Sequence, residues 1–285
     1  MNIKDACVSC IINQSLKVAD AIDADKSTAE ELLSTVEEMS KTFSYEQTPP
    51  QIAAYVYEKM AQIANKSDLY DEVKKLSTKK ALSFVPFLQE KLSKSQNKLL
   101  TATKIAIAGN VIDLAAEVSF DLESELLKIF EVDFAYDDFD LLKEKLSKSS
   151  TILILGDNVG EHIFDYLFIK TLKELYPNAV IYYMVRGIPI INDVTLKEAK
   201  EAGFEKLCKI VDSGVKTPGF DYKTASNNAK KLYNSADIVI SKGMGNFESL
   251  TPTHREDVYF LLKIKCNVVA DFLGKELGDI ICKKG

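Results

Sequence analysis

Two patterns of apolar and polar positions divide the chain. Up to about residue 147 the apolar residues form helical faces. Ile11, Ile12, Leu16, Val18 and Ala19 begin one such face, and Ala29, Leu32, Leu33, Val36 and Met39 carry the next. Pro49-Pro50 opens a helix through Ile52, Tyr55, Val56 and Met60, because a first-turn proline lacks only an N–H that the helix does not need. Further helices are predicted over about 69–92, broken or kinked at Pro86, and over 98–117, 122–129 and 139–146. From Thr151 onward, short β-branched and apolar runs alternate with helical stretches. The runs predict strands at 151–155, 179–185, 207–211, 237–240 and 267–271, with helices between them, among them 196–202 and 225–233.

That alternation predicts an α/β fold, a Rossmann-like, doubly wound, mostly parallel sheet preceded by an all-helical domain. The division is placed at 1–147 (helical) and 148–285 (α/β, metal- and phosphate-binding), with the site in the cleft between them. In open α/β sheets ligands bind beyond the carboxyl ends of the strands. Each predicted strand ends in something polar or glycine-rich: Gly156-Asp157-Asn158, Arg186-Gly187 followed by Asn192-Asp193, Asp212-Ser213-Gly214, Ser241-Lys242-Gly243 with Asn246, and Asp271.

Composition narrows the functional classes. The 285 residues allow a sizeable core at 46% hydrophobic content, and the formal charge of −6 argues against general nucleic-acid binding. The start of the chain has no leader character and no apolar run is long enough to span a membrane, so a cytoplasmic protein is expected. Five dispersed cysteines disfavour a disulfide scaffold. Cys7-Val8-Ser9-Cys10 reads as burial at the start of a helix. A structural zinc shared with Cys208, Cys266 or Cys282 stays open. The chain has no glycine-rich dinucleotide loop, phosphate-binding P-loop, HExxH or GxSxG.

What remains is oxygen chemistry. Asp157 and Asn158, adjacent at a strand end, suit a hard divalent cation. Asn158 with Glu161 reads equally as a helix cap, and Thr195 with Glu198 is a capping box that leaves Asp193 available as a ligand. Arg186 and Lys242 are either solvated strand-end charges or a phosphate clamp. Asn110 and Asp113 share a helix face and, read alone, point to the surface. The combination favours metal-assisted chemistry on a phosphorylated substrate.

These motifs, taken in order, resemble the metal-dependent damage-control phosphatases, long catalogued as a domain of unknown function (number eighty-nine). The resemblance rests on Gly156-Asp157-Asn158 with Gly160-Glu161, on Arg186-Gly187 with Pro189 and Asn192-Asp193-Val194-Thr195, and on Ser241-Lys242-Gly243 with Asn246-Phe247-Glu248. Cys7 with Cys10, Gly109-Asn110 with Asp113, and Lys265-Cys266 look like its archaeal and bacterial branch.

The resemblance implies hydrolysis of small phosphomonoesters, such as sugar phosphates or damaged phosphometabolites. It implies a divalent cation (Mg²⁺, Mn²⁺, Co²⁺ or Ni²⁺) on Asp157, Asn158 and Asp193, with Lys242 against the phosphoryl group. It places Asn110 and Asp113 inside the site. In this reading Arg186, Asn192 and Asn246 join in binding substrate, and Glu161 or Asp113 serves as base. Met244 replaces the family's polar residue, and Leu114-Ala115-Ala116 departs from the usual context after Asp113; both bear on substrate preference. Two rival readings are methyl transfer from S-adenosylmethionine and a non-catalytic metal- or metabolite-binding role. Oligomeric state is left open.

Overall fold

The structure is a computed structural model that describes residues 1–109, 122–252 and 255–285. The helical half comprises α1 (Asp5–Ala21), α2 (Lys26–Ser40), α3 (Pro49–Ala64), α4 (Asp71–Lys94), α5 (Lys98–Ala108) and α6 (Leu122–Glu131). There follow β1 (Tyr136–Asp137), α7 (Phe139–Ser147), β2 (Thr151–Leu155), α8 (Glu161–Leu175), β3 (Val180–Val185), α9 (Leu196–Glu201) and β4 (Lys209–Asp212). The chain closes with α10 (Asn227–Ser235), β5 (Ile238–Lys242), α11 (Gly243–Leu250), β6 (Val258–Lys263), α12 (Asn267–Leu273) and β7 (Ile280–Lys284).

Local signals account for several boundaries. Thr48 and Gln51 form a reciprocal capping box at the start of α3, and Thr195 and Glu198 do the same for α9. Helix α4 continues through Pro86 as one helix. The carbonyl that loses its donor belongs to Leu82, which is 52% exposed, so water can serve it.

The seven strands form one sheet in the order β1-β7-β6-β5-β2-β3-β4, parallel except where β6 meets β7. This is the mostly parallel α/β sheet expected. The strand expected at 267–271 is instead α12. Its β-branched pair Val268-Val269 suggests a strand, but the buried positions Val269, Ala270 and Leu273 have helical spacing, and Gly274 closes the helix in left-handed backbone. The central place next to β5 belongs to β6, the apolar run Val258–Leu262, and β7 returns antiparallel beside it.

The two faces of the sheet bury different cores. One packs α4, α5, α7 and α8 around Ile152, Ile154, Phe164, Phe168 and Ile240. The other packs α10, α11 and α12 around Leu153, Leu155, Phe247 and Phe260. A third cluster joins α1, α2 and α3 to Ile190, so these helices sit over the sheet's carboxyl edge. The division at residue 147 follows composition; in space, β1 lies in the sheet and α4 and α5 share a core with β2, β3 and β5. Among the described residues no helix is long and apolar enough to cross a membrane.

Candidate functional site

Parallel strands deliver their ends to one edge, and there β2, β3 and β5 contribute Asp157, Arg186 and Lys242. Asp193 arrives on the loop after β3. That loop is pinned to the end of β2 by two backbone hydrogen bonds: Val159 N–H to the Asn192 carbonyl (2.7 Å) and Val194 N–H to the Asp157 carbonyl (2.8 Å). Asn158 and Asp193 thus face each other in an isolated antiparallel bridge. Within the same loop Ile191, a β-branched residue, is held at φ 47°. Such backbone is costly for that side chain and persists only where the surroundings impose it.

The side chains form one continuous polar chain. Arg186 Nε donates to Asp193 Oδ2 at 2.6 Å, and its Nη2 lies 3.6 Å from Asp157 Oδ1. Asn158 Nδ2 donates to both Asp157 Oδ2 (3.1 Å) and Glu161 Oε1 (2.9 Å). Glu161 Oε2 is 3.9 Å from Lys242 Nζ, which also binds Asp165 Oδ1 at 2.5 Å. Apart from Asn158, every one of these residues is at least nine-tenths buried. Among the described residues, four buried carboxylates (Asp157, Glu161, Asp165 and Asp193) meet two buried cations (Arg186 and Lys242), and Lys265 on the cavity wall adds its charge to Asp157 and Glu161, so carboxylates still outnumber cations.

The electrostatics reflect that excess. Burial, then the charges of Glu161 and Asp193, push the Asp157 carboxyl well above the ordinary carboxylate range. Glu161 and Asp193 are raised too, burial outweighing Lys242 in the one case and Arg186 in the other. Burial pulls the Lys242 ammonium down, but Asp165 and Glu161 more than offset it.

Glycines make room for this. Gly243, at φ 74°, begins α11, and a Cβ there would fall 1.8 Å from Asp157 Oδ2. Gly156 lets the Tyr183 hydroxyl pass beneath the end of β2, where a Cβ would lie 2.6 Å from it.

A cavity of about 490 Å³ opens over the cluster. Asp157, Asn158, Asn192 and Asp193 form one wall, α1 and α3 another, and Met244, Gly245, Lys265 and Cys266 a third. Lys265 and Cys266 reach it because β6 runs parallel to β5.

The structure therefore brings together Asp157, Asn158, Glu161, Arg186, Asn192, Asp193 and Lys242. Asn246 is fully buried and its amide is used on backbone: it donates to the Gly156 and Lys242 carbonyls and accepts the Phe220 N–H. Asn158 does not cap α8; Gly160 holds that position, and the Asn158 amide is turned to the two carboxylates. Asn110 and Asp113 lie outside the described residues. Cys7 is buried in the first turn of α1, while Cys10 is exposed and both thiols are free. Sequence reasoning passed over Asp165, whose signal was a carboxylate on the buried face of α8 one turn beyond Glu161.

Residues 3–281 match the damage-control phosphatase ARMT1-like domain. The chain belongs to this family of metal-dependent phosphatases and is an enzyme of that class. It is 32% identical to a damage-control phosphatase of Pyrococcus horikoshii, over all of this chain and 98% of that one. A damage-control phosphatase of Archaeoglobus fulgidus is 26% identical over 99% of both chains. The crystal structure of a DUF89 family protein from Pyrococcus horikoshii superposes with a TM-score of 0.91 at 30% identity, covering 100% of this chain and 99% of that one.

Proposed function

We propose that this cluster hydrolyses small phosphomonoesters, damaged phosphometabolites or sugar phosphates, with a divalent cation held by Asp157, Asn158 and Asp193. One observation carries the reading: at the cavity edge the buried carboxylates outnumber the cations beside them, Lys265 included, so the cluster favours a further positive charge. Among the described residues no three His, Cys, Asp or Glu side chains are disposed as a metal cluster. The proposed set needs only two carboxylates and an amide oxygen, with water and substrate oxygen completing the shell. Hard oxygen donors of this kind fit Mg²⁺, Mn²⁺, Co²⁺ or Ni²⁺. The bound cation supplies Lewis-acid polarisation of a phosphoryl oxygen and acidifies water beside it.

The rest follows from this chain's own groups. Arg186 holds Asp193 through Nε, and its Nη2, buried without a hydrogen-bond partner, is the donor left for an anionic oxygen. Helix α11 opens on the cavity wall without a side-chain cap, so its N-terminal amides favour the phosphate as well. Lys242 lies behind Glu161 and offsets negative charge developing above it. Glu161, raised by burial, receives the proton from the attacking water, a role that Asp113 would otherwise fill. The organic part of the substrate occupies the cavity toward α1 and α3, where Ile11, Pro49, Pro50, Ala53, Ile191 and Met244 make most of the surface apolar. Neither methyl transfer nor a non-catalytic role draws support from the relatives' names.

The test is phosphate release from p-nitrophenyl phosphate and a panel of sugar phosphates. Chelator-stripped protein receives each of the four cations in turn. Release restored by a cation and lost in Asp193→Ala is the expected result. No release from folded, cation-loaded protein overturns the reading.

A further inference from the structure

The residue that holds Lys242 lies outside every motif that marks the family resemblance. Lys242 Nζ is fully buried and is shared unequally between two carboxylates, Asp165 at 2.5 Å and Glu161 at 3.9 Å. Asp165 is itself fully buried on α8, beside Phe164 and Phe168. Its second oxygen, Oδ2, accepts the Tyr183 hydroxyl at 2.9 Å, and Tyr183 is fully buried on β3. Three elements that meet only in the folded sheet therefore fix one ammonium: α8, β3 and the end of β5. The absence of a side chain at Gly156 is what admits the tyrosine hydroxyl to this position.

We propose that Asp165, steadied by Tyr183, is a positioning residue for catalysis: it holds the Lys242 ammonium off Glu161, so that this carboxylate keeps its hydrogen bond from Asn158 on the cavity side. This rests on the reading of Lys242 and Glu161 as members of the active site. The physical argument is a competition. A buried ammonium pairs as closely as it can with whatever carboxylate is nearest, since nothing else offsets its desolvation. With Asp165 present, Lys242 sits 1.4 Å closer to that residue than to Glu161. Without it, Glu161 is the nearest remaining carboxylate; the ammonium closes on it, neutralises it and draws it from Asn158. A purely structural need would be met more cheaply, because apolar residues of similar volume often replace a buried ion pair without loss of stability.

The experiment is a double-mutant cycle on the cation-loaded enzyme, with p-nitrophenyl phosphate as substrate and kcat and KM measured separately. Asp165→Asn is expected to lower kcat by roughly ten- to a hundredfold while KM moves less than about threefold, as for a group felt only in the transition state. Lys242→Gln lowers kcat at least as far, and adding Asp165→Asn to it lowers kcat no further. An unchanged kcat in Asp165→Asn overturns the proposal. So does the same factor of loss in both backgrounds, which a structural role produces. An unchanged kcat in Lys242→Gln removes Lys242 from the site, and the proposal falls with the reading beneath it; loss there beside a silent Asp165→Asn removes the proposal alone. Should Asp165→Asn fail to fold, Tyr183→Phe decides: it keeps the ion pair and deletes only the second anchor, and a severalfold lower kcat is expected, an unchanged one being contrary.

Discussion

Among the described residues, two clusters gather carboxylates around a buried cation, built from similar residue types to opposite ends. In the first, Lys74 on α4 reaches Asp68 at 2.9 Å and Glu198 at 3.8 Å. Both of its carboxylates also accept local donors: Asp68 accepts the Tyr70 N–H, and Glu198 Oε2 accepts both the backbone N–H and the hydroxyl of Thr195. Burial pushes Glu198 up, but the Thr195 hydrogen bonds and Lys74 win, and it ends below its ordinary value. In the second cluster Asp157, Glu161 and Asp193 all end above theirs, and a guanidinium nitrogen is left without a hydrogen bond. Burial is common to both, so it does not distinguish them. What separates them is whether the protein alone supplies the compensating donors. In the first cluster they are enough to hold Glu198 below its ordinary value, and the cluster ties α4 to α9. In the second, the donors among the described residues leave the carboxylates raised, which is what the proposed cation would relieve.

The strongest way to break this comparison is to remove charge from each cluster in turn. Asp157→Asn is expected to lower kcat by roughly a thousandfold or more. The melting temperature of the cation-free protein should not fall, because the substitution relieves repulsion among buried carboxylates. A cation-free variant that melts well below wild type would mean that Asp157 is as structural as Asp68. Lys74→Met should do the reverse. Leaving buried Glu198 and the partly exposed Asp68 without their cation costs about 3 kcal/mol, read from urea unfolding, while kcat falls far less than in Asp157→Asn, because Lys74 reaches the site only through its charge on Asp193.

Cation binding sharpens the same contrast. Any ligand that binds only the folded state raises the melting temperature, and here protons compete for the same oxygens. Since the folded-state values of Asp157, Glu161 and Asp193 are raised, the cation-free protein gains stability from these groups as pH falls through those values and loses it as pH rises. The upward shift in melting temperature on adding cation should therefore be larger near about pH 8 than near about pH 5. Equal shifts at both would place the cation away from these carboxylates.

How much of this was legible in the sequence depended on the range of the interactions involved. The strand-end motifs at Asp157, Arg186 and Lys242 are local, and a parallel sheet carries them to one edge whatever the details. The capping box at Thr195 is local as well, and it stands; the equally local box of Thr48 with Gln51 was passed over beside Pro49-Pro50. The run Val258–Leu262 carried a central strand but was passed over in favour of 267–271, because Val268-Val269 has strand chemistry while its burial has helical spacing. Strand β1, two residues long, and the antiparallel return of β7 depend on partners more than on their own pattern. Asp165 and Tyr183 stayed hidden for a similar reason. Each is an ordinary residue on an apolar element, and only the packing of α8 against the sheet reveals what its oxygen meets.

The smallest expected effect concerns His162, beside the site but outside its chain of charges. Burial lowers its pKa from 6.5 to about 4, against a weaker upward pull from Glu198. Its Nδ1 accepts the Gly160 N–H at 3.0 Å, which requires the ring to be unprotonated at that nitrogen. A histidine whose folded value lies below its unfolded value binds protons more readily when unfolded. It therefore subtracts stability as pH falls from about 6.5 toward 4, and below that the loss is complete. Between about pH 7 and pH 5 the loss is roughly 2 kcal/mol. The site carboxylates contribute with the opposite sign over acid pH, so wild-type unfolding alone mixes the two. His162→Gln keeps a side-chain acceptor without a titrating ring, and the difference between variant and wild type cancels the carboxylates. That difference should shift in favour of the variant by roughly 2 kcal/mol as pH falls from about 7 to about 5. A flat difference would show that His162 takes up its proton within the fold, with the Gly160 N–H turned elsewhere.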